Sequence, residues 1–529
     1  MTTLPARQAG RHAALLVLLT GSAGCAMTVL DTNIVAVVLP TIAQDLSATF
    51  ADVEWVVSAY VLCFAALLLP AGSIADRYGR RRIFLAGIGL FAAASLLCGL
   101  APTAAALVWA RAAQGAGAAF LLASALAIIG HSFHEEAERN RAWAIWGAIM
   151  GLTMVVSPIL GGVIARLLGW RWAFFVNIPV CALLALAVLR RVAESRDATA
   201  RRLDPAGIVL FSLAMLGLTW ALIGGPADGW GSPATLLRAL GGLAALGGFL
   251  VAETRQARPM LDLTLFRTPR FVGAVIAMGA YAGAAQVMAS LLPLYLQNGL
   301  GQAPLDAGFA MLPFAIAMLL LPQAGRWLGR RFAAHQILVL GLAVVCIGDL
   351  LTGWAAMSRS WPGVAAGMAV LGSGGGLLNG ETQKAVMGSV PRERAGMASG
   401  ISTTARFSGI LLGFTVLNAV LAGVARTRLT AGACPAAACA QARRFADAVV
   451  SGDAAGAFGG LPVDARAAAV QIAHAGYTVG FSAALYTAAV AAGIAAVLVG
   501  VLMRPGLSAR AVVTVRNGAA DTRPRIATE

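Results

Sequence analysis

Along the chain, apolar runs of about 20 residues recur from one end to the other, separated by short polar or arginine-rich stretches. Each run can cross a hydrocarbon layer of about 30 Å as a helix. The pattern predicts fourteen spans. Six lie near Ala13–Val38, Val53–Gly72, Ile83–Leu100, Ala104–Ile129, Ala142–Ile164 and Phe174–Leu189. Two follow near Pro205–Gly225 and Pro233–Ala252. Six more lie near Phe271–Leu296, Ala307–Ala324, Ile337–Met357, Pro362–Val386, Met397–Val424 and Tyr477–Met503. This is the pattern of an all-α membrane protein.

Few charges interrupt these runs, and each one needs an explanation. The first run holds only Asp31, roughly 12 Å inside its Pro40 end at 1.5 Å per residue. An ionised carboxylate there must find a partner, face a water-filled cavity or take a proton. Asp31 is therefore the first candidate for proton coupling, against the alternative of a structural bond to a neighbouring helix. Arg111 lies in the fourth run, Asp349 in the middle of the eleventh, and Glu381 in the twelfth beside Asn379. These three join Asp31 as proton-coupling candidates. Lys384 stands one turn from Glu381, so a local ion pair is the competing reading there. Arg406, in the thirteenth run, is a candidate partner for either carboxylate.

Composition fits the pattern. Hydrophobic residues make up 59% of the chain and charged residues 12%, half the roughly 25% typical of soluble domains. The net charge of +16 does not point to nucleic acid, because the arginines fall in alternate loops. Roughly 27 lie on the side of the N-terminus and about nine on the other, which places both termini in the cytoplasm. No Gly-x-x-x-x-Gly-Lys-Ser/Thr occurs, so ATP is not the direct energy source, and the five His are scattered without metal spacing. Cys25, Cys63, Cys98, Cys181 and Cys346 sit inside apolar runs as small core residues. Cys434 and Cys439 share a polar loop, either as a disulfide or as two free thiols. Arg7, Arg11 and the segment up to Cys25 imitate a signal peptide, but the run continues to Val38 and reads as a retained span.

A faint repeat organises the whole. Leu67-Leu68-Leu69-Pro70 precedes Arg80-Arg81-Arg82, and Leu319-Leu320-Leu321-Pro322 precedes Arg330-Arg331. The expected organisation is a six-helix half over 1–200, two inserted spans over 201–256, a second six-helix half over 257–503 and a cytoplasmic tail over 504–529. An extracytoplasmic loop over 425–476 carries helical pattern at Phe445–Val450 and Val463–His474. Paired halves about a central site are a common transporter design.

The loop from Gly72 to Arg82 is the most specific stretch. Gly72 and Gly79 permit close approach and a tight turn. Asp76 can accept bonds from the orphan N–H groups of a neighbouring helix start, and Arg77, Arg80, Arg81 and Arg82 anchor the loop at the headgroups. Through this Gly-x-x-x-Asp-Arg-x-Gly, the chain resembles the major facilitator superfamily. Leu30-Asp31 through Leu39-Pro40 and Arg111-x-x-Gln114-Gly115-x-Gly117 resemble the first- and fourth-span motifs of its fourteen-span drug:proton antiporter branch. Ser157-Pro158-Ile159-Leu160-Gly161-Gly162 resembles the antiporter motif of the fifth span, with Ser157 where Gly is usual. Trp170-Arg171-Trp172 through Asn177-Ile178-Pro179 and Pro293-Leu294-Tyr295-Leu296-Gln297 are similar to stretches of the same branch. The second-half loop Gly325–Arg331 lacks the Asp.

The resemblance implies a major facilitator fold in the bacterial cytoplasmic membrane, no cofactor, and a proton gradient as the driving force. It gives Gly72, Asp76, Arg77, Gly79 and Arg80 a gating role, and Ser157, Pro158, Gly161 and Gly162 a role in bending or sealing the fifth span. Asn33, Gln114, Met150, Met154, Tyr281 and Gln286 are candidate cavity residues, a Met- and aromatic-lined set suited to varied amphiphiles. The expected partners are the bilayer, protons and a small-molecule substrate, with a periplasmic adaptor left open. The expected function is proton-coupled export of toxic amphipathic compounds. A carrier for one physiological cargo (an organic acid, a siderophore or a self-made antibiotic) is the alternative. A membrane enzyme would need a catalytic constellation, and none occurs.

Overall fold

Backbone amides surrounded by hydrocarbon have no water to bond, so a chain this apolar must satisfy them inside helices. The computed structural model describes residues 4–133, 135–196, 204–255, 263–390, 395–430, 445–446, 448–450 and 463–504. Cys434, Cys439, Arg510 and the rest of the tail lie outside them. The described elements are all helical. Thirteen helices are long and apolar enough to span a membrane. Trp361–Gly388, 28 residues long, is diluted by its glycines and by Glu381 and Lys384, yet packs between the tenth and eleventh spans like the others.

Several helices outrun their hydropathy. The first covers Leu4–Asp45 and passes through Pro40, so Asp31 lies roughly 21 Å from its end rather than 12 Å. The thirteenth covers Ala395–Thr430 and the last Val463–Leu502, which absorbs the Val463–His474 segment into the final span. Loss of apolarity marks the membrane boundary, but helical hydrogen bonding continues past it.

The remaining spans of the first half are Phe50–Tyr78, Arg80–Gly99, Ala104–Ser132, Glu136–Leu167 and the pair Trp172–Phe175 with Asn177–Arg191. In the second half the ninth span is Pro269–Tyr281, a π-helical turn Ala282–Gln286, and Met288–Asn298. Pro304–Ala310 with Leu312–Leu328 forms the tenth, and Ala334–Met357 the eleventh.

Glycine decides how closely these helices approach, and it does so twice in the same way. A Cβ on Gly115 of the fourth span would collide with the carbonyl oxygen of Tyr60 in the second, and one on Gly117 would lie 2.7 Å from the Phe91 nitrogen in the third. Gly372 of the twelfth span meets the Phe314 carbonyl in the tenth, and Gly374 would place a Cβ 2.7 Å from the Val345 nitrogen in the eleventh. The two halves therefore share a packing scheme that the sequence repeat only hints at. Gly279 and Gly283 of the ninth span likewise interlock with Gly409 and Gly413 of the thirteenth, four residues apart in each, at backbone contact.

The inserted spans, Pro205–Asp228 and Pro233–Arg255, form a hairpin closed by Gly217 against Gly242. It docks on the second span, where Trp220 meets Trp55 edge-on at 6.5 Å.

A Cβ on Gly413 would sit 2.5 Å from the Gly283 Cα. Gly413→Leu should force the ninth and thirteenth spans apart at a cost of about 1–3 kcal/mol or more. The expected readout is a lower midpoint of thermal aggregation in detergent and less monodisperse protein on size exclusion; an unchanged midpoint would contradict the packing described.

Candidate functional site

Arg111 and Asp31 meet in the interior of the first half. Arg111 Nη1 donates to Asp31 Oδ2 at 2.6 Å, and the side chains are 1% and 0% exposed. Arg111 Nε donates to the Val56 carbonyl (3.1 Å), and the guanidinium lies 4.2 Å over the Tyr60 ring. The other carboxylate oxygen, Oδ1, accepts from Gln114 Nε2 and from Asn177 Nδ2, each at 2.8 Å. Gln114 Oε1 accepts from Arg111 Nη1 at 2.6 Å, and its Nε2 also reaches Ser95 Oγ at 2.9 Å. Five spans thus converge on one carboxylate and one guanidinium. Three donors surround the carboxylate, so Asp31 answers its burial by pairing rather than by facing water.

The motif glycines make this convergence possible. Gly115 and Gly117 follow Gln114 directly and let the fourth span touch the second and third. Asn177 stands in the Trp170–Pro179 stretch, whose start pins the sixth span to the first: Trp170 Nε1 and Arg171 Nη1 both donate to Asp45 Oδ2, at 2.9 and 2.6 Å.

The halves meet where the fifth span packs on the tenth and the first on the ninth. A Cβ on Gly162 would lie 2.7 Å from Leu305 and one on Gly308 2.5 Å from the Pro158 carbonyl oxygen, while Gly161 packs within its own half, 3.1 Å from Val37 of the first span by the same measure. Gln297 Nε2 donates across the seam to the Val37 carbonyl at 2.8 Å. Ser157 keeps its hydroxyl within its own helix, donating to the Thr153 carbonyl at 2.5 Å. At the opposite end, which carries the basic loops, Gly72, Gly147, Gly380 and Gly388 face open space. Just inside the seal a small void is lined by Asn33, Met154, Pro158, Ala289, Met311 and Phe314.

The Gly72–Arg82 stretch, expected as a loop, is helical on both sides of Gly79 and is tied to the end of the sixth span. Asp76 accepts from Arg80 at 2.8 Å, in place of the expected orphan N–H groups of another helix. Gly79, at φ 115°, leaves no room for a Cβ beside Glu194, whose carboxylate accepts from the Arg81 backbone N–H at 3.1 Å. Arg77 is exposed and lies beside Tyr78.

Other expected residues fall elsewhere. Gln114 belongs to the buried network, not to a cavity wall. Tyr281 is fully buried, while Met150 and Met154 are half-buried on the fifth span. Glu381 pairs with Lys384 at 2.6 Å, the local arrangement that competed with a site role. Asp349 is fully buried on a helix packed against the twelfth and fourteenth spans, and neither oxygen has a hydrogen-bond partner among the described residues. Arg406 pairs with neither carboxylate; Nε donates to Gln286 Oε1 (2.7 Å) and Nη2 reaches Asn379 Oδ1 at 3.4 Å.

Three participants escaped sequence reasoning. Asn177 lay inside a recognised stretch, and Ser95 carried no signal at all. Glu54 is buried one turn into the second span, facing Asn418 and Arg426 of the thirteenth. Its signal was the Trp55–Leu62 apolar run that begins beside it.

Comparison with known proteins agrees with the fold. The Major Facilitator Superfamily profile matches residues 21–414. The chain is 38% identical over 409 residues to Multidrug resistance protein Stp of Mycobacterium tuberculosis, covering 77% of this chain and 76% of that one. It is 32% identical over 479 residues to Multidrug efflux pump LfrA of Mycolicibacterium smegmatis, covering 90% and 93%. It is 33% identical over 414 residues to the Tetracenomycin C resistance and export protein of Streptomyces glaucescens, covering 77% and 75%. A bacterial homologue of the human lysosomal transporter Spinster, solved in an inward-facing and unoccupied conformation, superposes with a TM-score of 0.65 at 17% identity. It covers 93% of this chain and 97% of that chain, a likeness of fold.

Removing one member of a buried ion pair leaves an uncompensated charge, at a cost of about 3–5 kcal/mol. Arg111→Met should therefore lower the unfolding midpoint sharply, and Asp31→Asn combined with Arg111→Met should recover much of the loss. Equal midpoints for the single and double variants would refute the pairing.

Proposed function

The chain belongs to the Major Facilitator Superfamily, and from that premise we propose that it is a proton-driven exporter of toxic amphipathic compounds. It is a multi-pass membrane transporter and not an enzyme. The names of its relatives, which speak of multidrug resistance and export, support a drug-like cargo. The bacterial cytoplasmic membrane is its place, with the basic loops and both termini in the cytoplasm. In that orientation the end with the basic loops faces the cytoplasm and receives cargo, and the seal of Gly162, Gly308 and Gln297 closes the outside.

The observation that carries the proposal is the Asp31–Arg111 network. In the conformation open to the cytoplasm, Asp31 is ionised and held by Arg111, Gln114 and Asn177. When the outer seal parts, a proton reaching Asp31 cancels the charge that holds Arg111. The guanidinium then needs a new arrangement, and the first, second, fourth and sixth spans that share it must repack. Return to the cytoplasm-open form restores the pair and expels the proton inward. One elementary charge moving down 100 mV supplies about 2.3 kcal/mol, enough to bias such a two-state cycle. Glu381, paired at the rim, and Asp349, enclosed among peripheral helices, take no part. A cofactor is not needed, and a periplasmic adaptor is not required by any step.

Asp31→Asn should abolish proton-driven dye accumulation in everted vesicles while the protein still inserts, whereas Glu381→Gln should keep most of it. Undiminished accumulation by the Asp31 variant would remove the coupling assignment. Accumulation that survives a protonophore would remove proton drive altogether.

A further inference from the structure

The charges placed within the spans cancel almost everywhere. Asp31 neutralises Arg111 and Glu381 pairs with Lys384. Glu54 faces Arg426, and Asp349 is enclosed far from the seam. Arg406 is different: it is half-buried, and among the described residues its partners are two amide oxygens and no carboxylate. Neutral amides orient a guanidinium without cancelling its charge. A cation held in this way in a low-dielectric seam gains strongly from a mobile anion.

The surroundings are built for the purpose. The interlocked glycines put Gly409, one turn from Arg406, in backbone contact with the ninth span. The π-helical turn Ala282–Gln286 then rotates Gln286 toward the guanidinium, a distortion that recurs at functional sites. With their oxygens turned to Arg406, Gln286 and Asn379 have amide N–H groups left to donate. The Tyr281 hydroxyl, close enough to feel the charge of Arg406, has no hydrogen-bond partner among the described residues.

Apolar walls adjoin this polar patch. Ala289, one turn beyond Gln286, lines the void between the halves with Met154 and Phe314. Phe407, the neighbour of Arg406, meets Phe64 of the other half at 4.2 Å between ring centres. A cation with spare donors beside Met and Phe side chains matches an acid group on an apolar body.

We infer that Arg406, Gln286 and Asn379 form an anion-binding subsite that selects amphipathic cargo bearing a carboxylate or similar acid group. The inference rests on the export reading and names the substrate class of that central site. Arg406 binds the acid bidentately, the two amides donate to its remaining lone pairs, and the apolar body lies against Met154, Phe64 and Phe407.

Binding of 1-pyrenebutyrate and of its methyl ester to the purified full-length transporter in zwitterionic nanodiscs, with empty discs subtracted, tests this. The wild type should bind the acid roughly tenfold tighter than the ester, the scale of one charge-assisted contact. Arg406→Gln should bring the ratio near one, and Arg406→Lys should leave an intermediate preference. Asn379→Asp, which keeps Arg406 but gives it a built-in counter-ion, should also erase the preference and serves if Arg406→Gln does not fold. Equal binding of acid and ester by the wild type, or a preference that survives Arg406→Gln or Asn379→Asp, overturns the subsite. Gradient-driven 1-pyrenebutyrate transport in proteoliposomes separates the two ideas. Its presence without acid preference sinks the subsite alone, and acid preference without gradient-driven movement sinks proton coupling alone.

Discussion

A guanidinium sealed in the interior of a membrane protein cannot be left without a counter-charge, and that constraint organises the first half of this molecule. Arg111 is fixed by Asp31, by Gln114, by a backbone carbonyl of the second span and by the face of Tyr60. Asn177 and Ser95 extend the set to the sixth and third spans. Because the partners come from four other spans besides its own, the charge pair sets how those helices sit. A change in the protonation of Asp31 is therefore a change in helix packing, which is the property a coupled carrier needs.

The second half keeps the packing scheme and drops the charge pair. Gly372 and Gly374 repeat the approaches made by Gly115 and Gly117, yet the twelfth span carries Gly375 and Gly376 beyond them and has no arginine at the corresponding depth. Its interior cation is Arg406 on the thirteenth span, oriented by amides alone. One half thus contains a self-neutralised network, while the other presents an uncancelled charge toward the seam. That asymmetry is one that the proposed division between ion handling and cargo recognition would use.

Small residues also set which end is shut. Gly162 and Gly308 allow backbone contact between the fifth and tenth spans, and Gln297 adds one hydrogen bond across the seam. Few directional bonds hold this seal, so opening it breaks little that water cannot replace. The Gly72–Arg82 stretch, by contrast, is anchored within its own half through Arg80, Arg81 and Glu194.

By itself the sequence determined that this is a helical membrane protein, roughly where each span lies, which end carries the basic loops and which side chains are expensive enough to need an explanation. Those properties follow from transfer free energies and helix length, which are local to each run. Only the tertiary structure decided the partners. It joined Asp31 to groups 80, 83 and 146 residues away, moved Gln114 from cavity wall to buried network, and gave Glu381 to Lys384. It also set Glu54 against the thirteenth span and left Arg406 without a carboxylate among the described residues. Burial cost says that a charge must be answered; which group answers it depends on how helices distant in sequence meet, and that is set by glycine contacts whose partners no single stretch of chain reveals.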